Sequence, residues 1–314
     1  IEKYIEEQGY HLVIEKARVG LIPRKVPIHL PSGQTVQGIR WIRPEEGQNA
    51  TPSGVRIPPN WTDVWVTVVK DSPLQAFGKD SKGRTQYLYS AKHSEKAAAV
   101  KFKRLKDFDK HLPKIMHRIN SDLKKREEAQ VLYLISRTGF RVGSQKETLA
   151  AKKAYGATTL LGQHVKISGN QVEFNFVGKK GKDIHQVVED SQLADILKRR
   201  QKKLNQPLFM VSDGDVRKYV SEISGGKKFS PKDWRNYIAT TMALDNLVKM
   251  PIPTTVREYQ RARNKIGEIV SQKLGNTPSM ALNSYIDPSV FSSWRAELAS
   301  NGIEVKKSED ENGD

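Results

Sequence analysis

Four short stretches of this 314-residue chain carry side chains suited to chemistry at a phosphodiester. Tyr133 to Gln145 reads YLISRTGFRVGSQ, with Arg137 and Arg141 four apart and therefore on one face wherever the segment is helical. Gly139 and Gly143 argue that the helix ends there and the backbone opens. An arginine at such an end suits phosphate capture, because its planar fork meets two phosphate oxygens at once. A pair of surface arginines accounts for the same stretch equally well. Phe176 to Lys182 reads FVGKKGK, a hairpin tip that leaves lysine free to reach a substrate and protonate a leaving oxygen. Standing alone, it is more simply a solvated basic turn. Ser230 to Tyr237 reads SPKDWRNY, and Arg235 sits one turn into a helix beside its apolar stripe. An arginine so placed needs an anionic partner. The stretch by itself favours an internal carboxylate over a bound phosphate. Leu274 to Pro288 reads LGNTPSMALNSYIDP and carries Tyr285. A lone tyrosine is most often a packing residue with a hydrogen-bonded tip. With an ordinary pKa of about 10 it attacks poorly unless cations stabilise the phenolate. Taken together, Arg141, Lys179, Arg235 and Tyr285 supply two oxyanion clamps, one mobile acid and one nucleophile, the set that exchanges one phosphodiester for another.

The elements that must position these groups follow from patterning. Thr35–Ile42, Val64–Val69, Leu74–Phe77 and Gln86–Tyr89 are short, β-branched or aromatic, and bounded by Gly, Pro, Asn and Asp, which predicts strands. Beyond them the periodicity becomes helical. Pro113 suits a first helical position, and Ile115, Ile119, Leu123, Val131 and Leu134 follow at helical spacing. A three-stranded meander interrupts the helices: Val165–Ile167, a Ser-Gly-Asn turn, Val172–Val177, a Gly-Lys-Lys-Gly turn, and Ile184–Val188. Ser230 as cap, Pro231 in the first position and Asp233 three residues on predict a helix start, with Trp234, Tyr237 or Ile238, Thr241, Leu244 and Leu247 as its apolar stripe. Val256, Tyr259, Ile266, Ile269 and Val270 predict the next helix, stopped by Gly275. Thr277-Pro278 starts another that Asp287-Pro288 ends. The expected architecture is α+β: a small β-rich N-terminal domain (1–91), a larger mainly helical domain (92–304) that begins with a basic connector and holds the meander, and an acidic, frayed tail (305–314).

Composition narrows the function. The chain has 53 Lys and Arg against 35 Asp and Glu, a formal charge of +18 that points to a polyanion. Between Lys92 and Arg126 twelve basic residues face four acids. The absence of cysteine excludes a disulfide scaffold, a thiolate nucleophile and zinc sites with Cys ligands. The longest apolar run, Val131 to Ile135, is too short to span a bilayer. The first seven residues hold three glutamates and no apolar core, so no secretory signal is expected, although a start at Ile1 rather than Met leaves room for a trimmed leader.

In order and spacing the chain resembles the type IB DNA topoisomerases of poxvirus and bacterial type, from about Val55 to Pro288. The resemblance rests on RIPPNWTDVWV (56–66), GKDSKGRTQYLY (78–89), FRVGSQKE (140–147), YGATTLLGQHV (155–165), FVGKKGK (176–182), SPKDWRNY (230–237) and LGNTPSMALNSYIDP (274–288). It implies a catalytic domain of the tyrosine recombinase and type IB topoisomerase kind. It also implies that Tyr285 forms a 3′-phosphotyrosyl bond and releases a 5′-hydroxyl. Arg141 and Arg235 would contact the non-bridging oxygens, and Lys179 would be the general acid, with Lys180 or Lys182 reaching instead if the turn register shifts. Asn276 is a departure: poxvirus members have histidine there. Asn still donates a hydrogen bond to a phosphate oxygen but carries no charge, and all seven histidines precede residue 186. Lys82, Arg84, Gln86, Tyr87 and Tyr89 match the family's DNA-facing segment, with Arg137 and Lys180 as further DNA contacts. Tyr87 and Tyr89 should share one strand face, and a half-buried tyrosine pair is the alternative there.

The resemblance further implies a monomeric C-shaped clamp on double-stranded DNA and no membrane partner. No cofactor is expected, because exchanging a phosphodiester for a phosphotyrosyl ester is nearly isoenergetic. Accordingly, no GxxxxGK[ST] loop and no carboxylate cluster spaced for two metals is evident. The expected location is the cytoplasm or nucleoid of a bacterium, or a virion or host compartment, and not the secreted space. The nearest alternative is a tyrosine recombinase. Against it, Lys232 stands where recombinases carry a histidine three residues before the second arginine, LGN (274–276) replaces LGH, and the β-rich N-terminal domain differs from a helical arm domain. A non-catalytic DNA-binding protein is the third reading.

Overall fold

The computed structural model describes residues 10–16, 22–29, 35–42, 57–58, 61–67, 72–149 and 153–305. The expected acidic tail beyond 305 and the last two residues of the expected Val64–Val69 strand lie outside them. The chain divides into two compact units between Lys101 and Phe102.

Six strands come first: β1 (Tyr10–Lys16), β2 (Ile22–His29), β3 (Thr35–Ile42), β4 (Thr62–Thr67), β5 (Leu74–Lys79) and β6 (Thr85–Tyr89). They form a four-stranded antiparallel sheet in the order β1-β4-β5-β6 and a two-stranded sheet of β2 and β3. Strands β1 and β2 carry no clear alternation in sequence and were not anticipated. A small core of Ile57, Trp61, Val64, Val66 and Ala76 closes one face, with Leu88 packed against it. On the opposite face Trp65, Phe77 and Tyr87 are direct neighbours across β4, β5 and β6, with ring centroids 6.0 and 6.2 Å apart. The i, i+2 rule puts Tyr87 and Tyr89 on one exposed face, while Leu88 turns inward.

The basic stretch is one 32-residue helix, α1 (Ala91–Asp122). This corrects the expectation that Pro113 starts a helix, for Pro113 lies inside α1. Phe102, Leu105, Phe108, Ile115 and Ile119 recur at helical spacing on both sides of it and are buried, so packing holds the helix through the lost backbone donor. The next helix, α2 (Glu127–Thr138), has polar ends and an apolar middle, and Ala129 to Ile135 are all buried, as in a helix packed on every side.

The remaining helices are α3 (Gln145–Thr148), α4 (Ser191–Arg200), α5 (Asp213–Ile223), α6 (Pro231–Leu247), α7 (Val256–Leu274), α8 (Pro278–Ser284) and α9 (Ser292–Ser300). The meander of β7 (Val165–Ser168), β8 (Gln171–Gly178) and β9 (Lys182–Glu189) falls between α3 and α4 in sequence. In β8, Val172, Phe174, Phe176 and Gly178 face inward with period two. Phe140 meets Phe174 and Phe176 edge-on at 5.1 and 5.0 Å.

Helix α6 differs from its expected stripe. Leu244 is exposed, and the buried face is Arg235, Asn236, Ala239 and Ala243 with Trp234 and Leu247. Small alanines let α6 pack against α7, so the face that packs is the face of small residues rather than of large ones. Tyr259, Ile266, Val270, Leu274, Leu282, Ile286, Phe291 and Trp294 complete this core, and Tyr285 belongs to it. No described helix is long and apolar enough to cross a membrane.

Candidate active site

Three helix ends meet around Arg235. Helix α2 stops at Gly139 and α7 at Gly275, each in the left-handed conformation (φ 72° and 60°) that glycine adopts without steric cost. A helix end leaves carbonyls without intrahelical donors. Arg235, in the first turn of α6, supplies donors to both ends: Nη1 donates to the Gly139 carbonyl and Nη2 to the Leu274 carbonyl at 3.0 Å. The internal partner of Arg235 is thus two helix C-termini and not the carboxylate that its sequence context favours. The negative ends of two helix dipoles hold the guanidinium without neutralising it. Its start is fixed by Asp233, whose carboxylate accepts from the Ser230 amide (2.8 Å) and hydroxyl (3.0 Å) and pairs with Arg104 at 3.1 Å.

Tyr285 is the C-cap of α8, which Thr277 caps at its start by accepting from the Met280 amide. Its ring lies against Arg235, with 4.9 Å from the guanidinium carbon to the ring centroid, and Lys232 Nζ is 5.9 Å from the same centroid. Arg141 Nη1 donates to the Tyr285 hydroxyl at 3.2 Å. Burial alone would raise the pKa of this phenol. The charges of Arg235, Arg141 and Lys232 outweigh burial and bring it below its usual value. Burial pushes Arg235 down to about 10, so it stays a cation at neutral pH.

Arg141 lies on a loop pinned by a second glycine contact. A Cβ on Gly156 would stand 2.5 Å from the Gly143 Cα, and the Ala157 and Thr158 amides donate to the Arg141 and Val142 carbonyls at 2.8 Å each. The YGATT stretch therefore holds Arg141 in place. These groups line a cleft of about 510 Å³ that also takes in Glu147, Lys179, Asp213, Arg217 and Lys232. Lys179 follows Gly178 at the meander tip, where Gly178 pairs with Lys182, and its ammonium is 2.9 Å from Glu147. Lys180 and Lys182 are exposed and do not line the cleft. Lys180 takes a left-handed turn position (φ 64°).

Asn276 follows Gly275 directly. It is buried, and neither its side-chain oxygen nor its nitrogen has a hydrogen-bond partner among the described residues. A buried amide without partners costs about 1–3 kcal/mol, a cost relieved by a ligand that bonds it. Arg137 is placed elsewhere: its Nε pairs with Asp190 at 2.8 Å and its Nη2 donates to the Tyr133 hydroxyl at 3.1 Å, and it does not line the cleft. In the N-terminal unit Arg84 is bound twice to Asp80, at 2.6 and 2.9 Å. Asp80 also accepts from Gln86 and from the Lys82 and Arg84 amides. The side-chain bonds to Arg84 hold the Asp80 carboxyl down to about 2. Tyr87 and Tyr89 are exposed there, and Tyr89 stacks on His93 at 5.0 Å.

Sequence reasoning missed Lys232 as a site residue, although it is one turn from Arg235 on the same helix. It also missed Glu147, which closes the FRVGSQKE block, and Asp213 and Arg217, which lie outside every quoted motif. No group of three or more His, Cys, Asp or Glu among the described residues is arranged to hold a metal. An arginine pair on a buried tyrosine, with a lysine in the same cleft, is suited to in-line attack on a phosphodiester.

Comparison with known proteins bears on this arrangement. The family described as "Eukaryotic DNA topoisomerase I, catalytic core" matches residues 90–309. The chain is 32% identical over 256 residues to DNA topoisomerase 1B of Acanthamoeba polyphaga mimivirus, covering 74% of this chain and 75% of that protein. It is 24% identical over 264 residues to DNA topoisomerase 1B of vaccinia virus (strain Copenhagen), covering 76% and 79%, and to DNA topoisomerase I of monkeypox virus over the same span.

Proposed function

Because the chain belongs to the type IB DNA topoisomerase family and is a DNA-relaxing isomerase, we propose that the cleft around Tyr285 performs its strand cleavage and rejoining. One observation carries this: two cations held by backbone geometry, Arg141 and Arg235, converge on the Tyr285 side chain. The Tyr285 oxygen attacks the scissile phosphorus as its proton leaves. The bond from phosphorus to the 5′-oxygen breaks, Lys179 gives that oxygen a proton, and a 3′-phosphotyrosyl ester remains. Charge building on the non-bridging oxygens is met by Arg141 and by the donors that Arg235 has not spent on carbonyls, its Nε among them. Asn276, buried without partners, gives its amide N–H to the same phosphate. The 5′-hydroxyl then reverses the step after the free end has turned.

The α+β chain is read as a β-rich DNA-binding N-terminal domain (1–91) and a catalytic domain (92–304) of the recombinase-like kind, acting as a monomer with both on one duplex. Lys82, Gln86, Tyr87 and Tyr89 offer the N-terminal contacts and Lys180 flanks the cleft. The recombinase alternative has no observation in its favour. Relaxation of a negatively supercoiled plasmid in EDTA without ATP, comparing wild type with Tyr285→Phe, tests the assignment. Wild type relaxes the plasmid and the variant forms no covalent adduct while still binding DNA. An adduct that survives in the variant moves the nucleophile elsewhere.

A further inference from the structure

We infer that Ile184 is a positioning residue for proton transfer: it locks the base of the lysine hairpin onto the α7 cap, and so fixes Lys179 relative to the tyrosine arm. The inference rests on the reading of Lys179 as general acid.

Residues 179–182 are all exposed, so apart from the ion pair of Lys179 with Glu147 the place of the tip is set by the strands beneath it. On β8 the base is held by Phe176 against Phe140, the residue just before Arg141. On β9 the residue paired with Phe176 is Ile184. A Cβ on Gly178 would stand 3.0 Å from Ile184 Cγ1, and a Cβ on Gly275 would overlap Ile184 Cδ1. Ile184 is therefore seated between two glycines. One immediately precedes Lys179, and the other immediately precedes Asn276. With no side chain on either glycine, Ile184 touches backbone on both sides. A displacement of the hairpin is then passed to the α7 cap without a flexible side chain to absorb it. Gly275 meets two demands, a left-handed turn and this close approach, and the second has no bearing on ending a helix.

The consequence is specific to one proton. Losing the Ile184 side chain leaves Tyr285, Arg141 and Arg235 in place but frees the lysine turn. Misplacement by about 1 Å costs on the order of 100-fold where geometry matters, and a general acid contributes roughly 100- to 10,000-fold. A 5′-bridging sulfur leaves as a thiolate and needs no proton.

The test is single-turnover cleavage of two suicide duplexes, one with the natural 5′-oxygen and one with sulfur in its place. Wild type, Ile184→Ala, Ile184→Val and Lys179→Ala are compared. Ile184→Ala should cleave the oxygen substrate at least about tenfold slower than wild type and the sulfur substrate within about twofold, Ile184→Val falling between. Normal cleavage of the sulfur substrate also certifies that the variant is folded. If Ile184→Ala is unfolded, Ile184→Val carries the same comparison. Equal loss on both substrates in the Ile184 variants, with Lys179→Ala rescued by sulfur, overturns the Ile184 assignment and leaves the acid intact. Lys179→Ala without rescue removes the acid reading itself, and the Ile184 inference falls with it.

Discussion

Arg235 in the cleft and Arg84 in the N-terminal turn are both expected to meet DNA phosphate, yet they are held in opposite ways. Arg235 is buried and bonded to the carbonyls of Gly139 and Leu274. Arg84 is mostly exposed and bonded twice to the Asp80 carboxylate. Carbonyls orient a guanidinium while leaving its net charge for the substrate, whereas a carboxylate orients it and cancels its charge. Arg141 follows the first pattern, since its side chain meets the Tyr285 hydroxyl, and no described carboxylate is paired with it or with Arg235. Arg137, paired with Asp190, follows the second. In this chain the partner, rather than the residue type, separates an arginine whose charge is left for an anion from one whose charge is spent on a carboxylate.

The comparison breaks most visibly at Arg235. Arg235→Ala should slow single-turnover cleavage on the order of 1,000-fold, the scale of a lost oxyanion donor. It should also lower stability by about 1–3 kcal/mol, because two helix ends lose a donor. Arg235→Lys retains charge but presents a point charge where a fork spans two carbonyls, and should recover little. Cleavage within tenfold of wild type in Arg235→Ala would show that Arg235 only ties helices together.

Arg141→Ala comes next, with a loss of roughly 100-fold in cleavage, the lower end for one such donor, and a second signature in pH. Arg141 helps to hold the Tyr285 phenol below its usual pKa against the effect of burial. With Tyr285 as the proposed nucleophile, cleavage should rise with pH as the phenol ionises, and in the variant the acid limb of the profile should shift to higher pH. An unmoved limb would mean that Arg141 acts on the phosphate alone.

Much of this was legible in sequence because it follows from short-range rules. The Gly178–Gly181 turn fixes the meander, Ser230-Pro231 fixes the start of α6, and Gly139 and Gly275 announce two helix ends. The arrangement of Arg235 was not legible, because its partners at positions 139 and 274 are carbonyls, and every residue has one. Nor was the pairing of Arg137 with Asp190, 53 positions apart with a sheet between them in sequence. Pro113 misled for a related reason: its local preference for a helix start was overridden by Phe108 and Ile115, which pack on either side of it. The exposure of Leu244 likewise depends on which face of α6 its neighbours cover, a fact of tertiary packing.

Arg137→Ala sharpens the contrast from the other side. A bracing arginine with half its side chain exposed should cost about 0–1 kcal/mol of stability, measured by denaturant melting. It should leave cleavage within about twofold, because it does not line the cleft. A loss approaching that of Arg141→Ala would place a phosphate contact at Arg137 after all.

The smallest effect is the most discriminating. If Asp80 occupies Arg84 so that it neutralises no phosphate, removing Arg84 loses no phosphate contact and should hardly change how steeply DNA affinity falls with salt, although the bared Asp80 carboxylate lowers the affinity itself. Asp80→Asn keeps the side chain's shape and an acceptor for the Lys82 and Arg84 amides but releases the guanidinium as an uncompensated cation. Each phosphate newly neutralised adds about −0.9 to the log–log salt slope for duplex DNA. Asp80→Asn should therefore bind non-specific duplex more tightly at low salt and steepen the slope by about that amount, while Arg84→Ala leaves it within error of wild type. The Asp80 carboxyl, held down to about 2, is ionised throughout the working range, so the difference should not depend on pH above about 4. Should Arg84→Ala instead flatten the slope by a full unit, Arg84 would be a phosphate contact despite its carboxylate. The rule drawn from Arg235 would then hold for the buried cleft and not for the exposed sheet.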